Sequence, residues 1–365
     1  MAIYSLKIQN FKSIKATDYI RIMPLNILIG SNGSGKSNFI SFFKLIQAIG
    51  EGRLQHFIDN DINALLYFGR KKSPFISGNI VFKNNETNDK NALDFVIKPR
   101  EKSEKGTLQV LSERYYKANA QTWKETIIDQ NVEESTWGDG LNNDFLKYIN
   151  AFKIYHFHDT SLTSPLRDAC AIHNNRSLAA DGSNLPAYLY YLQVKQPKVF
   201  KKIEGIVRFV APFFERFDLA PNRLNDKIEL RWREKGADAD DYFNARYLSD
   251  GTLRFIALAT LLLQEDLPPT IIIDEPELGL HPSAISHLAE MFKTASQKCQ
   301  VIVATQSTDL VNHFEAQDII AVDRQNRTEG TIFKRFTKEE LAVWLDDEVY
   351  GMGDLWEKNV IGARP

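Results

Sequence analysis

The chain of 365 residues is 43% hydrophobic and 25% charged, an ordinary globular composition at a length that can bury a sizeable core. Its formal net charge of −2 argues against a globally basic nucleic-acid-binding protein. Two cysteines exclude a disulfide framework and favour a reducing compartment, so we expect a cytoplasmic protein. We expect no signal peptide, because the N-terminus leads into an alternating strand pattern. We expect no membrane partner, because the longest apolar stretch, near residues 255–263, is too short to span a bilayer.

The charge is unevenly distributed along the chain. Residues 1–85 hold 11 Lys/Arg against 4 Asp/Glu, a balance of +7, and residues 246–365 hold 11 against 19, a balance of −8. Two interpretations stay open. The asymmetry is either chance combined with an acidic segment at 346–348, or a basic surface around a phosphate site, able to meet ATP, nucleic acid or an acidic partner lobe.

The first part of the chain is typical of strand, glycine-rich loop and helix. Residues 3–9 alternate as a half-buried strand does, residues 25–29 form an apolar run typical of a buried strand, and residues 37–49 carry a helical pattern. Between residues 76 and 130, short strand-like runs separated by polar breaks predict an antiparallel β arm.

The remainder of the chain changes character twice. Residues 184–216 are mostly helical, and Pro197 is expected to divide them into two helices. From residue 248 onward strands alternate with helices, which implies a largely parallel sheet. The expected elements are a helix at 253–263, a strand at 270–274, a helix at 283–295, a strand at 301–305 and short strands at 319–322 and 331–333.

Residues 30–37 carry the strongest functional signal, a complete P-loop pattern between a strand and a helix. Its glycines let successive backbone N–H groups turn toward phosphate oxygens, and the following helix adds its positive N-terminal end. Lys36 is predicted to reach the β and γ phosphates of ATP, and the Ser37 hydroxyl to ligate Mg²⁺. The predicted nucleotide-binding residues of this segment are Gly30, Ser31, Asn32, Gly33, Ser34, Gly35, Lys36, Ser37 and Asn38.

A carboxylate pair ends the apolar run at 271–273 and forms a Walker B pattern about 240 residues after the P-loop. Asp274 is predicted to hold Mg²⁺, directly or through water. Glu275 is predicted to polarise the attacking water as the catalytic base.

A serine and a glycine open the helix that precedes this carboxylate pair. The segment 247–254 resembles the signature motif of ABC-type ATPases of the RecF and SMC kind, in which these residues contact the γ-phosphate of ATP held by the other protomer. The resemblance implies that Ser249 and Gly251 bind nucleotide in trans, at a helix N-terminus that suits an anion. From the residues alone, Ser249 or Asp250 is equally interpreted as the N-cap of a core helix.

Two further segments fit the same family. Residues 278–282 stand where the D-loop follows Walker B, and His281 is expected either at a dimer interface or as a plain capping or packing residue. Gln306 follows the next strand, where many ABC proteins place a switch histidine, and the resemblance implies a catalytic role for it. Because glutamine cannot titrate near neutral pH, slow or partner-stimulated hydrolysis is a hypothesis.

The glutamine of a Q-loop is not identified. Gln47 and Gln55 lie on or just after the first helix, too early in the chain. His156, His158 and Asp159 suggest a metal site, but no second ligand cluster accompanies them, and we favour a structural role.

The matched motifs run from residue 3 to about residue 310, so the resemblance covers both lobes of an ATPase head. It implies an α/β fold, an ABC/SMC-type P-loop ATPase head with a mostly parallel sheet, an N-terminal antiparallel β subdomain and a helical insertion. The implied division is an N-terminal ATPase lobe with Walker A at 1–85, a β arm and helical insertion at 86–245, and a C-terminal ATPase lobe with signature motif, Walker B and D-loop at 246–365.

Residues 155–160, 181–185 and 355–359 also resemble stand-alone bacterial AAA family ATPases, many of which stand beside an effector gene in antiphage defence cassettes. The leading hypothesis is therefore an MgATP-hydrolysing sensor or clamp that forms a head-to-tail homodimer or higher oligomer on ATP. It would act with a separately encoded effector protein, because no nuclease constellation of acids is visible. A RecF-like repair ATPase that binds DNA, and a non-cycling ATP-bound scaffold that holds an effector inactive, remain alternatives. A transporter subunit is disfavoured by the departures in the signature and switch positions.

Overall fold

The structure, a computed structural model, describes most of the chain. The described residues are 2–58, 61–84, 86–100, 107–118, 121–127, 149, 152–222, 224–238, 241–324, 329–345 and 350–363. The acidic segment at 346–348 and the last part of the predicted β arm, beyond residue 127, lie outside them.

Eighteen strands and ten α-helices are assigned within these residues. The strands are β1 (Ala2–Phe11), β2 (Ile14–Ala16), β3 (Ile20–Arg21), β4 (Leu25–Ile29), β5 (Ile76–Lys83), β6 (Lys90–Pro99), β7 (Leu108–Lys117), β8 (Thr122–Ile127), β9 (Phe152–Tyr155), β10 (Cys170–Ala171), β11 (Phe214–Phe217), β12 (Lys227–Ile228), β13 (Arg231–Glu234), β14 (Phe243–Asn244), β15 (Thr270–Asp274), β16 (Gln300–Thr305), β17 (Ile319–Asp323) and β18 (Ile332–Arg335). The helices are α1 (Lys36–Gly50), α2 (Leu54–Phe57), α3 (Ile62–Leu65), α4 (Leu185–Lys195), α5 (Pro197–Val210), α6 (Asp250–Leu263), α7 (Pro282–Ser296), α8 (Thr308–Val311), α9 (Lys338–Leu345) and α10 (Met352–Glu357).

A six-stranded sheet in the order β18-β17-β4-β16-β15-β9 forms the centre of the molecule. All its strands run parallel except β18, which pairs antiparallel with β17 at one edge. Its inner strands are mostly apolar and buried almost throughout, because both faces of the sheet are covered. Ile27 and Ile29 of β4 pack into the core that contains α6 and α7, whereas Leu28 packs into the opposite core with α1.

A second, antiparallel sheet covers α1. In it β2 and β3 pair with β1, β1 pairs with β5, and β6, β7 and β8 follow in order. Phe42 of α1 lies between the two sheets, with ring centroids 5.6 Å from Phe11 and 6.0 Å from Phe95. On the other side of the molecule, α4 ends at Lys195 and α5 begins at Pro197, the split predicted for the helical region. The predicted fold, a mostly parallel sheet with an N-terminal antiparallel sheet and a helical insertion, is observed.

The two sheets draw strands from both sides of residue 85. The antiparallel sheet combines β1 and β5 with β6, β7 and β8, and β9 lies inside the predicted insertion but forms an edge of the parallel sheet. The division at residues 85 and 245 stays a prediction. Across the part of the chain that the structure describes, no helix has both the length and the apolar character needed to cross a membrane.

Candidate functional site

The predicted site residues meet at the carboxyl edge of the parallel sheet. The loop 30–35 follows β4, Asp274 ends β15, and Gln306 follows β16. These strands are parallel neighbours, so their carboxyl ends lie side by side. Open α/β sheets bind ligands at this edge, where loops and helix N-termini converge.

The glycine-rich loop is held tightly at Gly35, whose φ is +120°. A Cβ at Gly35 would press on the Thr331 side chain, so only glycine fits there. The Thr331 hydroxyl donates to the Ser34 carbonyl at 2.8 Å and shares a 2.7 Å hydrogen bond with the Ser13 hydroxyl. Asn38, predicted to bind nucleotide, also donates to Ser13, at 2.7 Å. Thr331, in the connection between β17 and β18, therefore holds the loop in place although it lies about 300 residues further along the chain.

Lys36 begins α1 and is buried, with 4% of its surface exposed. Its ammonium donates to the carbonyls of Gly30 and, at 3.2 Å, Ser31. Burial lowers the pKa of Lys36, and the carboxylates of Glu275 and Asp274 oppose that shift. The start of α1 has no side-chain cap, so no capping side chain occupies the N–H groups of its first turn. A buried cation and uncapped N–H groups together suit a polyphosphate.

The carboxylate of Asp274 lies beside the start of α1. Burial and the charge of Glu275 raise the pKa of Asp274. The charge of His158 and the nearby Ser37 hydroxyl oppose that shift, so the two predicted metal ligands lie on the same side of the site. The Oδ1 atom of Asp274 is buried and has no hydrogen-bond partner among the described residues. A hydroxyl and an unpaired carboxylate oxygen are ligands that Mg²⁺ accepts, so these residues fit the metal.

Gln306 joins two glutamates at the end of the neighbouring strand. Its side-chain amide donates to the Glu275 carboxylate, and its backbone N–H donates to Glu277 at 3.2 Å. The Thr305 hydroxyl also donates to Glu277, at 2.5 Å. Burial raises the pKa of Glu277, whose Oε2 is buried without a partner in the part described. Glu275 itself has a φ of +37°, a left-handed backbone that is uncommon for a non-glycine residue.

Ser249 and Gly251 lie at the exposed start of α6, not against the glycine-rich loop. The Ser249 hydroxyl accepts from the backbone N–H of Thr252 at 3.2 Å, so it caps α6 while remaining exposed. Gly251 approaches the Gly279 carbonyl so closely that no Cβ would fit. Among the described residues, no hydrogen bond joins Ser249 or Gly251 to residues 30–37 of the same chain. Ser249 is exposed and Gly251 is half-buried, so the start of α6 remains accessible to a second molecule.

His281 caps α7. Its ring accepts from the backbone N–H of Ser283 at 3.3 Å and lies 2.9 Å from the Ser283 hydroxyl. The capping interpretation of His281 accounts for these contacts. Gln47 donates to the Phe152 carbonyl at 2.9 Å, so it ties α1 to β9 and does not enter the site.

Two histidines whose structural role was favoured on sequence grounds come close to the site. His156 and His158 follow β9, with ring centroids 6.4 Å apart. Asp159 instead accepts from the N–H and hydroxyl of Ser161, and the described residues contain no group of three His, Cys, Asp or Glu that could hold a metal. The absence of such a group from this part of the chain agrees with the structural role that was favoured over a metal site for these residues.

Comparisons with known proteins agree with this geometry. A family model described as "AAA domain, putative AbiEii toxin, Type IV TA system" matches residues 25–312. The Old nuclease of Escherichia phage P2 is 24% identical over 384 residues, covering 92% of this chain and 61% of that protein. The chain thus spans less than two thirds of the length of that relative. The energy-coupling factor transporter ATP-binding protein EcfA of Methanosphaera stadtmanae is 27% identical over 113 residues, 31% of this chain and 40% of that protein.

Among solved structures, the SmcHead bound to the C-winged helix domain of ScpA has a TM-score of 0.60 at 17% identity. The match covers 93% of this chain and 99% of that chain, so the likeness shows a shared fold. The chain belongs to the AAA domain family described above, and its fold is that of an SMC/RecF-like ABC-type ATPase head.

Proposed function

We propose that this chain binds MgATP and hydrolyses it to ADP and phosphate. The observation that carries the proposal is the meeting, at one sheet edge, of a buried lysine in a glycine-rich loop with an unpaired buried carboxylate oxygen. Lys36 and the first turn of α1 would bind the β and γ phosphates. Ser37 and Asp274 would hold Mg²⁺, which neutralises charge on the phosphates when bound.

Glu275 is the proposed base. It would accept a proton from the attacking water as the water oxygen bonds to the γ-phosphorus and ADP leaves. Gln306 donates to the Glu275 carboxylate and so fixes its orientation. Because an amide cannot exchange protons near neutral pH, we propose that turnover is slow or stimulated by a partner.

We further propose that ATP joins two copies head to tail. Ser249 and Gly251 are accessible at the start of α6, and an uncovered apolar surface flanks them, with Tyr247 71% and Leu278 51% exposed. In the dimer, ATP would contact both copies, so ATP would bind the dimer more tightly than the monomer. ATP would therefore shift the association equilibrium toward the dimer. The site of each copy would then be complete only when the second copy contributes its helix start.

The test compares Glu275→Gln with Glu265→Gln, the same chemical change at an exposed position. We expect Glu275→Gln to lower ATP turnover about 100-fold or more, because a general base contributes about 10²–10⁴-fold. The same variant should be dimeric in MgATP and monomeric without nucleotide by light scattering. Adding Ser249→Arg should abolish the dimer and leave ATP binding intact. Unchanged turnover in Glu275→Gln contradicts the catalytic proposal, and an ATP-independent size contradicts the dimer.

We propose that the ATPase works as a sensor or clamp in antiphage defence with a separate effector, using residues 86–245 for partner or DNA contacts. Support comes from the likeness to the phage P2 Old nuclease and from a family description that includes a toxin system. Loss of phage protection in Glu275→Gln would support a cycling device. Retained protection would favour the scaffold alternative, and salt-sensitive duplex binding without any protection would favour the repair alternative.

A further inference from the structure

We propose that a cleft between the two sheets, at the amino edge of the parallel sheet, binds a small phosphate-bearing molecule. This binding goes beyond the proposed ATPase function and does not depend on it. The cleft has a volume of about 450 Å³, which is within the range of small-molecule sites. We call it the amino-edge cleft, and its cationic side chains are Arg21, Lys83 and Lys298.

The amino-edge cleft lies at the opposite end of the strands that carry the candidate ATP site. Pro24, Pro269 and Gln300 line it, at or just before the starts of β4, β15 and β16. The same three strands lead to the glycine-rich loop, to Asp274 and to Gln306. A strand of five residues, such as β4 or β15, is about 17 Å long. The cleft and the candidate ATP site are therefore separate places on opposite edges of the sheet.

Hydrogen bonds between neighbouring segments fix the walls of the cleft. The Gln300 side chain accepts from the backbone N–H of Ile3 at 2.7 Å and donates to the Ile3 carbonyl at 2.8 Å, which joins the two sheets. The backbone N–H of Val301 donates to the Pro24 carbonyl at 2.8 Å, and that of Gln300 donates to the Pro269 carbonyl at 2.9 Å. The walls are thus in place before a ligand binds, which lowers the entropic cost of binding.

The charged groups of the cleft are all of one sign. Arg21 and Lys298 are exposed and Lys83 is half-buried, and no Asp or Glu is among the described residues that line the cleft. Within the described part of the chain, none of these three cations forms an ion pair. Part of the positive balance of residues 1–85 therefore lies here, away from the glycine-rich loop. A cleft with charges of one sign raises the local concentration of ions of the opposite sign.

An aromatic ring holds Arg21 in position. The Arg21 guanidinium lies 3.2 Å from the centroid of the Tyr4 ring, and the Lys90 ammonium lies 4.0 Å from the same centroid. Lys90 is also the register partner of Lys83 on the neighbouring strand, so a further positive charge stands beside the cleft. A stacked guanidinium keeps the N–H donors along its edge, and these fit two oxygens of a phosphate group at once.

A phosphate monoester suits this lining better than a carboxylate does. It carries about 1.5 to 2 negative charges at pH 7, whereas a carboxylate carries one, and three cations line the cleft. Ile3, Ile22 and Leu267 give the cleft an apolar side, which would cover an uncharged group joined to the phosphate. The ligand class is therefore a small organic phosphate.

The experiment measures the binding of phenyl phosphate to the full chain by NMR of the phenyl protons, in the wild type and in Lys36→Met. Lys36→Met removes the phosphate-binding charge of the glycine-rich loop, so binding that remains is outside the candidate ATP site. We expect Lys36→Met to bind phenyl phosphate with a Kd of about 1 mM, an affinity within reach of so small a ligand. Benzoate, which has the same ring and one charge, should bind at least about tenfold more weakly.

Arg21→Gln and Lys83→Gln, each made in both backgrounds, should weaken the binding of phenyl phosphate about tenfold. The reason is that each removes a charge-assisted hydrogen bond to the phosphate. Lys202→Gln is the matched control, because it removes an exposed lysine of α5 and should bind as its parent does. An unchanged thermal midpoint shows that each variant is folded.

The absence of binding at millimolar phenyl phosphate overturns the inference. So does binding that Arg21→Gln and Lys83→Gln leave unchanged, or binding that Lys36→Met alone removes, which places the probe at the glycine-rich loop. Equal affinities for phenyl phosphate and benzoate overturn the choice of phosphate. The proposed ATPase function fails separately, through unchanged turnover in Glu275→Gln, and that result would leave the cleft unaffected.

Discussion

Replacing Arg254 by alanine should destabilise the whole ATPase head. The guanidinium of Arg254 is buried and donates to two carbonyls, those of Phe157 and His158, at 2.9 Å each. These bonds connect α6 to the segment that follows β9, across 97 and 96 residues of chain. Burial lowers the pKa of Arg254, which shows that the charge is held at some cost.

The magnitude follows from what the substitution leaves behind. A buried carbonyl that loses its donor costs about 1–3 kcal/mol, so two cost about 2–6 kcal/mol. The substitution also removes a buried charge, and the desolvation penalty of that charge disappears with it, which offsets part of the lost free energy of unfolding. We expect a net loss of about 3 kcal/mol in the free energy of unfolding for Arg254→Ala. Arg254→Lys, which reaches one carbonyl at most, should lose about half as much.

Urea unfolding followed by tryptophan fluorescence, without nucleotide, measures these differences. Arg246→Ala is the matched control, because Arg246 is exposed one turn before the same helix and should change stability by less than about 0.5 kcal/mol. If Arg254→Ala unfolds with the same free energy as Arg246→Ala, the two carbonyl contacts do not stabilise the head and the reasoning is wrong.

Further substitutions test packing, reactivity and protonation. Gly35→Ala should weaken binding of a fluorescent ATP analogue at least about tenfold, because an alanine at this positive φ would crowd the Thr331 side chain and distort the loop. A wild-type affinity would contradict this. Gly205→Ala, inside α5 with open space at the Cβ, should raise the free energy of unfolding by about 0.5–1 kcal/mol in urea, and a decrease would show a missed contact. Burial raises the pKa of the Cys299 thiol to about 12, so iodoacetamide at pH 8 should modify the native protein at Cys170 first; mass spectrometry showing Cys299 first refutes it. Burial lowers the pKa of His156 to about 4 from an ordinary 6.5, so the unfolded chain binds a proton at this residue first as the pH falls. The free energy of unfolding should therefore keep the full contribution of His156 above pH 6.5 and lose it as the pH falls toward 4. His156→Asn should flatten that part of the stability profile, and an unchanged slope would count against this reasoning.

The candidate site was predictable where it is local in sequence. Lys36 and Asp274 each follow an apolar run, and parallel strands bring such ends together whatever the order of the strands. His158 was not predictable, because its position depends on β9 being the neighbour of β15, about 115 residues further along the chain. The role expected for Gln306 stays a prediction, although its contact with Glu275 is now defined.

By itself the sequence determined the element types, the parallel character of the central sheet and the identity of its phosphate loop. These properties follow from residue periodicity and from contiguous motifs, both of which depend only on residues that are close together in the sequence. Only the tertiary structure decided which strand lies next to which, that Ser249 is exposed while capping α6, and that Arg254 fixes the backbone of His158. The apolar sequence of a strand predicts that both its faces are buried. Which strands lie beside it depends on how side chains from distant segments pack together.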